Sequence, residues 1–309
     1  MNAPTALNAA LLDDLLSSDE LSCVLPLAEN RPKLATPPTA TEQLELRLLL
    51  EAIALHHGYD FRDYASASLL RRVRRAVCSE GVRSISGLQE RLLHDPSAIQ
   101  RFIASLSVSI TAMFRDPHFY AALRQEVIPL LRRQESIRIW HAGCASGEEV
   151  YSMAILLHEE GLYERSRLVG TDLNQMALRR ARAGIFPTRS MRNNTFNYQQ
   201  AGGVADFSSY YTASPQQVTF RRFLCRNLTF FQHNLVSDRP FDEFHLVLCR
   251  NVMIYFNPQL QRRVHQRLYQ SLAPQGVLGL GTTESMRVGG LAEHYRELAP
   301  QTRLFQRLR

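Results

Sequence analysis

The chain has 309 residues, 45% of them hydrophobic and 21% charged, with a formal net charge of +7. It is long enough for more than one domain, and with no apolar run near the roughly 20 residues of a bilayer crossing and no basic signal at its N-terminus, it reads as a cytoplasmic globular protein. Five scattered cysteines without C-x-x-C spacing suggest neither a disulfide framework nor a metal site; the positive charge, carried by arginine rather than lysine, favours an acidic partner without choosing between nucleic acid, membrane surface and protein.

Residues 1–41 read as an extension, with an apolar helix candidate at Leu7–Leu16 followed by the Pro/Thr-rich linker ENRPKLATPPTAT. From 42 to 117 the pattern is helical. TEQLELRLLLEAIALHHG supplies a cap, an apolar period of three to four and a glycine stop. In SASLLRRVRRAV, Leu69, Leu70, Val73 and Val77 share one helix face at about 100° per residue, leaving Arg71, Arg72, Arg74 and Arg75 on the other arc. That arc is either a solvated face or a docking surface; four like charges without interleaved acids favour docking.

From Ser136 onward strands alternate with helices: IRIWHA before EVYSMAILLHEEG, RLVGTDL before QMALRRARAG, LTFFQHNL, FHLVLCRNV before QLQRRVHQRLYQSL, and GVLGLGTTES. This predicts a doubly wound, parallel α/β sheet whose ligand sits at the carboxyl ends of the strands. Residues 188–222, polar and aromatic, are too long for an ordinary connection and read as a small insertion.

Several segments end strands where that ligand belongs. HAGCASGEE places Gly143 and Gly147 in a turn open to close approach, but its G-x-x-x-G spacing is not the dinucleotide fingerprint, and Glu148 and Glu149 would repel a pyrophosphate. Asp172 ends the next strand, where an acid can either accept from both hydroxyls of a ribose or cap the helix that follows, and its place in the frame favours the ribose. Asn234 in QHNL fits an adenine edge, with Leu235 over its face, as well as it fits a turn. Arg250, Asn251 and Tyr255 leave an apolar strand in LCRNVMIYF, a costly arrangement unless they have partners. Arg115 precedes Asp116-Pro117, which restricts the backbone there; it either faces the ligand or belongs to an interdomain connection. S-adenosylmethionine fits this set: adenosine for Asp172 and Asn234, no phosphate, and cationic groups that the loop acids favour. A carboxylate acceptor is already ionised at neutral pH and needs no general base.

In the same order, GYDFRDYASASLLRRVRR, TAMFRDPHFY, IWHAGCASGEEVYSMAILL, GTDLNQMAL, FQHNL, FHLVLCRNVMIYFNPQLQRRV and GLGTTES resemble the chemotaxis receptor methyltransferases, the CheR family. The resemblance implies a Rossmann-like S-adenosylmethionine-dependent α/β methyltransferase domain over 118–309 with a small β-rich insertion at 188–222, preceded by an all-helical receptor-docking domain over 42–117. It implies methylation of glutamate side chains on the cytoplasmic helices of chemoreceptors, leaving S-adenosylhomocysteine, with no metal, no nucleic acid and no membrane insertion, and with a companion methylesterase. Thr111, Arg115, Gly143, Glu148, Glu149, Asp172, Asn234, Leu235, Arg250 and Asn251 then hold the cofactor. Arg115 and Tyr255 orient the acceptor, and Arg71, Arg72, Arg74 and Arg75 dock the receptor. Three departures stand out: Ser109 where many members have asparagine, Ala145-Ser146 for Ser-Thr, and an insertion without a Gly-x-Gly-Tyr loop, which implies recognition without a C-terminal peptide tether. A chemosensory-like pathway other than motility, another methyl acceptor on the same fold, and a catalytically silent cofactor-binding regulator are the alternatives.

Overall fold

The structure, a computed structural model, describes residues 37–106 and 111–308. The helix candidate at Leu7–Leu16 and Ser109 lie outside the described residues. The described residues begin with four helices: α1 (Ala40–His57), α2 (Ser66–Ser79), α3 (Ile85–His94) and α4 (Ala98–Leu106). Sequence sets the ends of α1: Thr39 and Glu42 exchange side-chain and backbone bonds in a capping box, and Gly58 closes the helix in the left-handed conformation at φ 74°. Leu49, Ile53, Phe61, Leu69, Val73, Leu88 and Phe102 pack together as the core of this bundle.

After α5 (Pro117–Ala122) and α6 (Ile128–Leu131), strands and helices alternate: β1 (Ile137–Ala142), α7 (Glu148–Glu159), β2 (Ser166–Asp172), α8 (Gln175–Ala183), β3 (Ile185–Pro187), α9 (Met191–Gln200), β4 (Tyr211–Ala213), β5 (Gln217–Phe220), α10 (Arg222–Cys225), β6 (Leu228–Gln232), β7 (Phe244–Cys249), α11 (Pro258–Gln270), β8 (Leu272–Leu280), β9 (Tyr295–Ala299) and β10 (Leu304–Arg307). The large sheet has the order β6-β2-β1-β7-β8-β10-β9. Its first five strands run parallel. Consecutive residues of β1 serve opposite faces, Ile139 in one apolar core and Trp140 in the other, as a sheet covered on both sides requires.

The expected parallel, doubly wound sheet is present and ends in an antiparallel pair. β10 pairs antiparallel with β8, and β9 with β10, a hairpin whose short strands give too weak an alternation to read after GLGTTES. Residues 188–222 supply α9, β4 and β5; β5 pairs antiparallel with β4 and with β3, which precedes them, in a separate sheet of order β3-β5-β4.

Strand order reverses between β1 and β7: β2 and β6 lie on one side, β8 on the other. The loops after β1 and β7 therefore diverge, opening a crevice at the switch point. The helical bundle meets this edge through backbone bonds. The N–H of Ala65 donates to the Tyr255 carbonyl at 2.8 Å, and that of Asn257 to the Asp63 carbonyl at 2.9 Å. The Asp63 carboxylate also takes bonds from the Asn257 amide and from Arg263.

Candidate active site

Two adjoining cavities, about 140 and 190 Å³, occupy the crevice and share Gly143, Ala145, Asn251 and Tyr255 in their walls. Asp172, Asn234, Leu235, Phe61, Tyr64 and Arg72 line the first. Thr111, Arg115, Glu149 and Arg250 line the second. Of the residues singled out for cofactor or acceptor, only Glu148 lines neither; its carboxylate accepts from the Ser146 hydroxyl at 2.8 Å, and burial raises its pKa against that bond.

The turn after β1 is built from small residues. Gly143 has φ 79°, and a Cβ there would lie 2.5 Å from Val252 Cγ2, so glycine lets this turn close against the loop after β7. Ala145, also left-handed at φ 47°, donates its N–H to Asp172 Oδ2 at 2.9 Å, while Asn174 N–H donates to Oδ1 at 2.8 Å. Asp172 thus shapes the turn as well as lining the cavity. Burial raises its pKa, opposed by these backbone donors. The cap of α8 is Asn174, whose side chain accepts from Met176 and Ala177, so Asp172 is not the helix cap. Asn234 makes the turn and also lines the cavity. Its Oδ1 accepts from Val236 N–H at 2.9 Å, a turn bond.

The loop after β7 rests on a residue to which sequence reasoning gave no role. Glu284 follows β8 and is 4% exposed. One carboxylate oxygen accepts from the N–H groups of Asn251 (3.0 Å) and Gly281 (2.6 Å), the other from Val252 (2.9 Å) and Met253 (2.7 Å). These four donors hold Asn251 at φ 61°, in the left-handed region that asparagine tolerates, and so fix the path toward Tyr255. Burial raises the Glu284 pKa against all four. The available signal was an acid in the otherwise small and polar run GTTES, at a strand end.

Arg250 has the partners that its position demanded. Its guanidinium donates to Glu149 at 3.1 Å, to Asp116 at 2.7 Å and to the Arg115 carbonyl at 3.1 Å, and stacks 4.0 Å from the centre of the Phe119 ring. Glu149 also accepts from His141 Nδ1 at 2.9 Å. Burial opposes the charge on Glu149, but the His141 bond and the Arg250 cation hold its carboxyl below the usual glutamate range. The turn carrying Arg115 is strained on both sides, with Phe114 at φ 51° and Asp116 at φ 60°. Three contacts support it, the first two buried: Met113 N–H donates to Asn194 Oδ1 (3.2 Å), Phe114 N–H to Ser152 Oγ (2.8 Å), and the Asn197 amide to the Met113 carbonyl (3.1 Å). Asn194 and Asn197 belong to α9, so the insertion helps fix the Arg115 turn.

The basic helix differs from expectation. Arg71 and Arg75 are exposed, whereas Arg72 and Arg74 are each only 6% exposed. Arg74 forks onto Glu42 of α1 at 3.0 and 2.9 Å, a pair that lowers the Glu42 pKa. Arg72 lies over the Tyr255 ring at 4.3 Å. The arc expected to show four guanidinium groups shows two, because Arg72 and Arg74 stand at its edges, where the neighbouring loop and helix cover them.

The all-alpha domain of the CheR methyltransferases matches residues 44–107, and their SAM-binding domain matches residues 109–302. The chain belongs to the CheR methyltransferase family. It is 45% identical to Cher3 of Pseudomonas putida, provisionally named a methyltransferase, over 85% of this chain and 97% of that one. It is 29% identical to the chemotaxis protein methyltransferase of Salmonella typhimurium over 72% of this chain and 76% of that one, and 26% identical to that of Listeria innocua over 74% and 85%. The cofactor of this CheR-family chain is S-adenosylmethionine. The first cavity suits its nucleoside: half-buried Asp172 offers an acceptor for a sugar diol, between the apolar surfaces of Phe61, Leu235 and Val236. Among the described residues no helix is long and apolar enough to cross a membrane.

Proposed function

We propose that this protein methylates glutamate side chains on the cytoplasmic helices of chemoreceptors. The observation that carries the reading is the composition of the second cavity: Arg115 and Tyr255 line it, and among the described residues that line it none is an available base. Glu149 is engaged by Arg250 and His141, and burial pushes the Cys144 thiol well above its ordinary range. An amine or hydroxyl acceptor must lose a proton; a carboxylate need not. When bound, S-adenosylmethionine supplies a sulfonium methyl whose carbon–sulfur bond breaks as a carboxylate oxygen's lone pair takes the carbon, leaving a neutral ester and a thioether with no proton to move. The protein's work is then placement. Arg115 holds the acceptor anion as a fork, and the Tyr255 phenol donates to it; Asp172 and Asn234 hold the nucleoside, and Glu149, Arg250 and Asn251 wall the transfer site.

Exposed Arg71 and Arg75 supply the docking charge for the acidic receptor helices. The β4–β5 turn at 214–216, Ser-Pro-Gln, has no glycine, which favours recognition without a C-terminal peptide tether. An ester product also calls for a companion methylesterase. The test is incubation with methyl-labelled S-adenosylmethionine and cytoplasmic fragments of candidate receptors from the same genome. Label on a fragment that mild base releases is the expected result; label that resists base, or none on any receptor, overturns the proposal.

A further inference from the structure

Arg72 belongs to the helical bundle, yet it lines the first cavity together with Tyr255, one of the residues common to both chambers. Its guanidinium is stacked on the Tyr255 ring at 4.3 Å. It is 6% exposed, and its Nη2 is buried without a hydrogen-bond partner. Among the described residues Asp172 is the one carboxylate lining that cavity, but its two oxygens face the N–H groups of Ala145 and Asn174 and it forms no ion pair with Arg72. A buried guanidinium donor left unpaired is costly. Stacking on a phenol ring offsets only part of that cost. The cavity therefore contains a donor, fixed in direction by an aromatic face, that lacks its acceptor.

We propose that Arg72 is a direct ligand of the acceptor carboxylate, reaching the junction of the two chambers from the opposite side to Arg115. This rests on the carboxylate-acceptor reading above and adds to it a recognition residue supplied by the helical bundle. The nucleoside part of the cofactor carries no negative charge to satisfy the guanidinium; its amino-acid carboxylate and the incoming glutamate do, and affinity for S-adenosylhomocysteine separates the two. Arg72 thus acts differently from Arg71 and Arg75. Those attract the receptor across solvent, while Arg72 takes the side chain once it has entered. Because charge is lost as a carboxylate becomes an ester, a cation on the acceptor stabilises the ground state at least as much as the transition state, so the contribution falls on binding more than on turnover.

The experiment compares wild type with Arg72→Met and Arg72→Lys on a receptor fragment that wild type methylates, measuring kcat, KM and, by calorimetry, affinity for S-adenosylhomocysteine. Expected for Arg72→Met is a KM at least about tenfold higher that raised salt does not abolish, since a buried contact is poorly screened. Cofactor affinity should stay within about threefold, which also shows that the cleft is folded. Arg72→Lys, which keeps charge but loses the planar fork, should recover part of the KM. An unchanged KM, or cofactor affinity weakened by the same factor as KM, overturns the role of Arg72 while leaving the proposed function standing. Failure of wild type to label any carboxylate overturns both.

Discussion

The two loops that wall the cleft reach similar geometry by different routes. Each carries a non-glycine residue in the left-handed region, Ala145 after β1 and Asn251 after β7, and in each that residue's N–H donates to a carboxylate at or just beyond another strand's end, Asp172 or Glu284. The first turn gains its remaining freedom from Gly143 and Gly147. The second has no glycine and depends on four backbone donors converging on Glu284. A turn made by glycine is encoded where it occurs; a turn held by a distant acid is encoded some thirty residues away. The first loop should therefore fail by local change, the second by change at a distance.

Glu284→Gln gives the sharpest test. Whichever carboxylate oxygen becomes an amide faces two backbone N–H groups with a donor in place of an acceptor. A loss of roughly 2–3 kcal/mol in loop stability is expected, read as at least about a tenfold fall in turnover with a native far-UV circular dichroism spectrum. Normal kcat would show that the loop holds its shape without the clamp. Gly143→Ala comes next. Its Cβ would meet Val252 in a backbone conformation unfavourable to alanine, so calorimetry should show cofactor affinity weakened about tenfold; equal affinity would mean that the two loops can separate freely.

Asp172→Asn should weaken cofactor binding by a smaller factor, about fivefold, because one of its two backbone contacts becomes donor to donor. It also tests pH dependence. Burial raises the Asp172 pKa, so wild-type affinity should be full above that raised value and decline as acidification protonates the acceptor, starting at a higher pH than an ordinary aspartate would allow. The linkage to stability has the opposite sign: a raised carboxyl disfavours folding at neutral pH and ceases to do so below its ordinary value. The asparagine variant should lack this limb of the binding profile. The smallest effect lies outside both turns. Arg71→Ala with Arg75→Ala should raise KM for a receptor fragment by about threefold at low salt and hardly at all at high salt, with cofactor affinity unchanged; insensitivity to salt would remove these two from docking.

The sequence by itself determined the alternation of strands and helices and the strand-end positions of Asp172, Asn234 and Arg250, because a sheet buried on both faces writes itself as apolar runs and its ligands collect at their ends. It also determined the open turn at Gly143, since only glycine relaxes that backbone. Tertiary structure alone decided the rest. The β9–β10 hairpin owes its place to pairing with β8 rather than to its own short pattern. Glu284 gained its role because folding brings β7 and β8 side by side, so that one acid meets amides remote in sequence. Helical periodicity separated the faces of α2 but could not tell that Glu42 and Tyr255 would cover its edges, turning Arg74 into an ion pair and Arg72 into part of the cleft wall. A periodic pattern fixes which way a side chain leaves its own helix; what it meets there depends on elements that arrive from elsewhere in the chain.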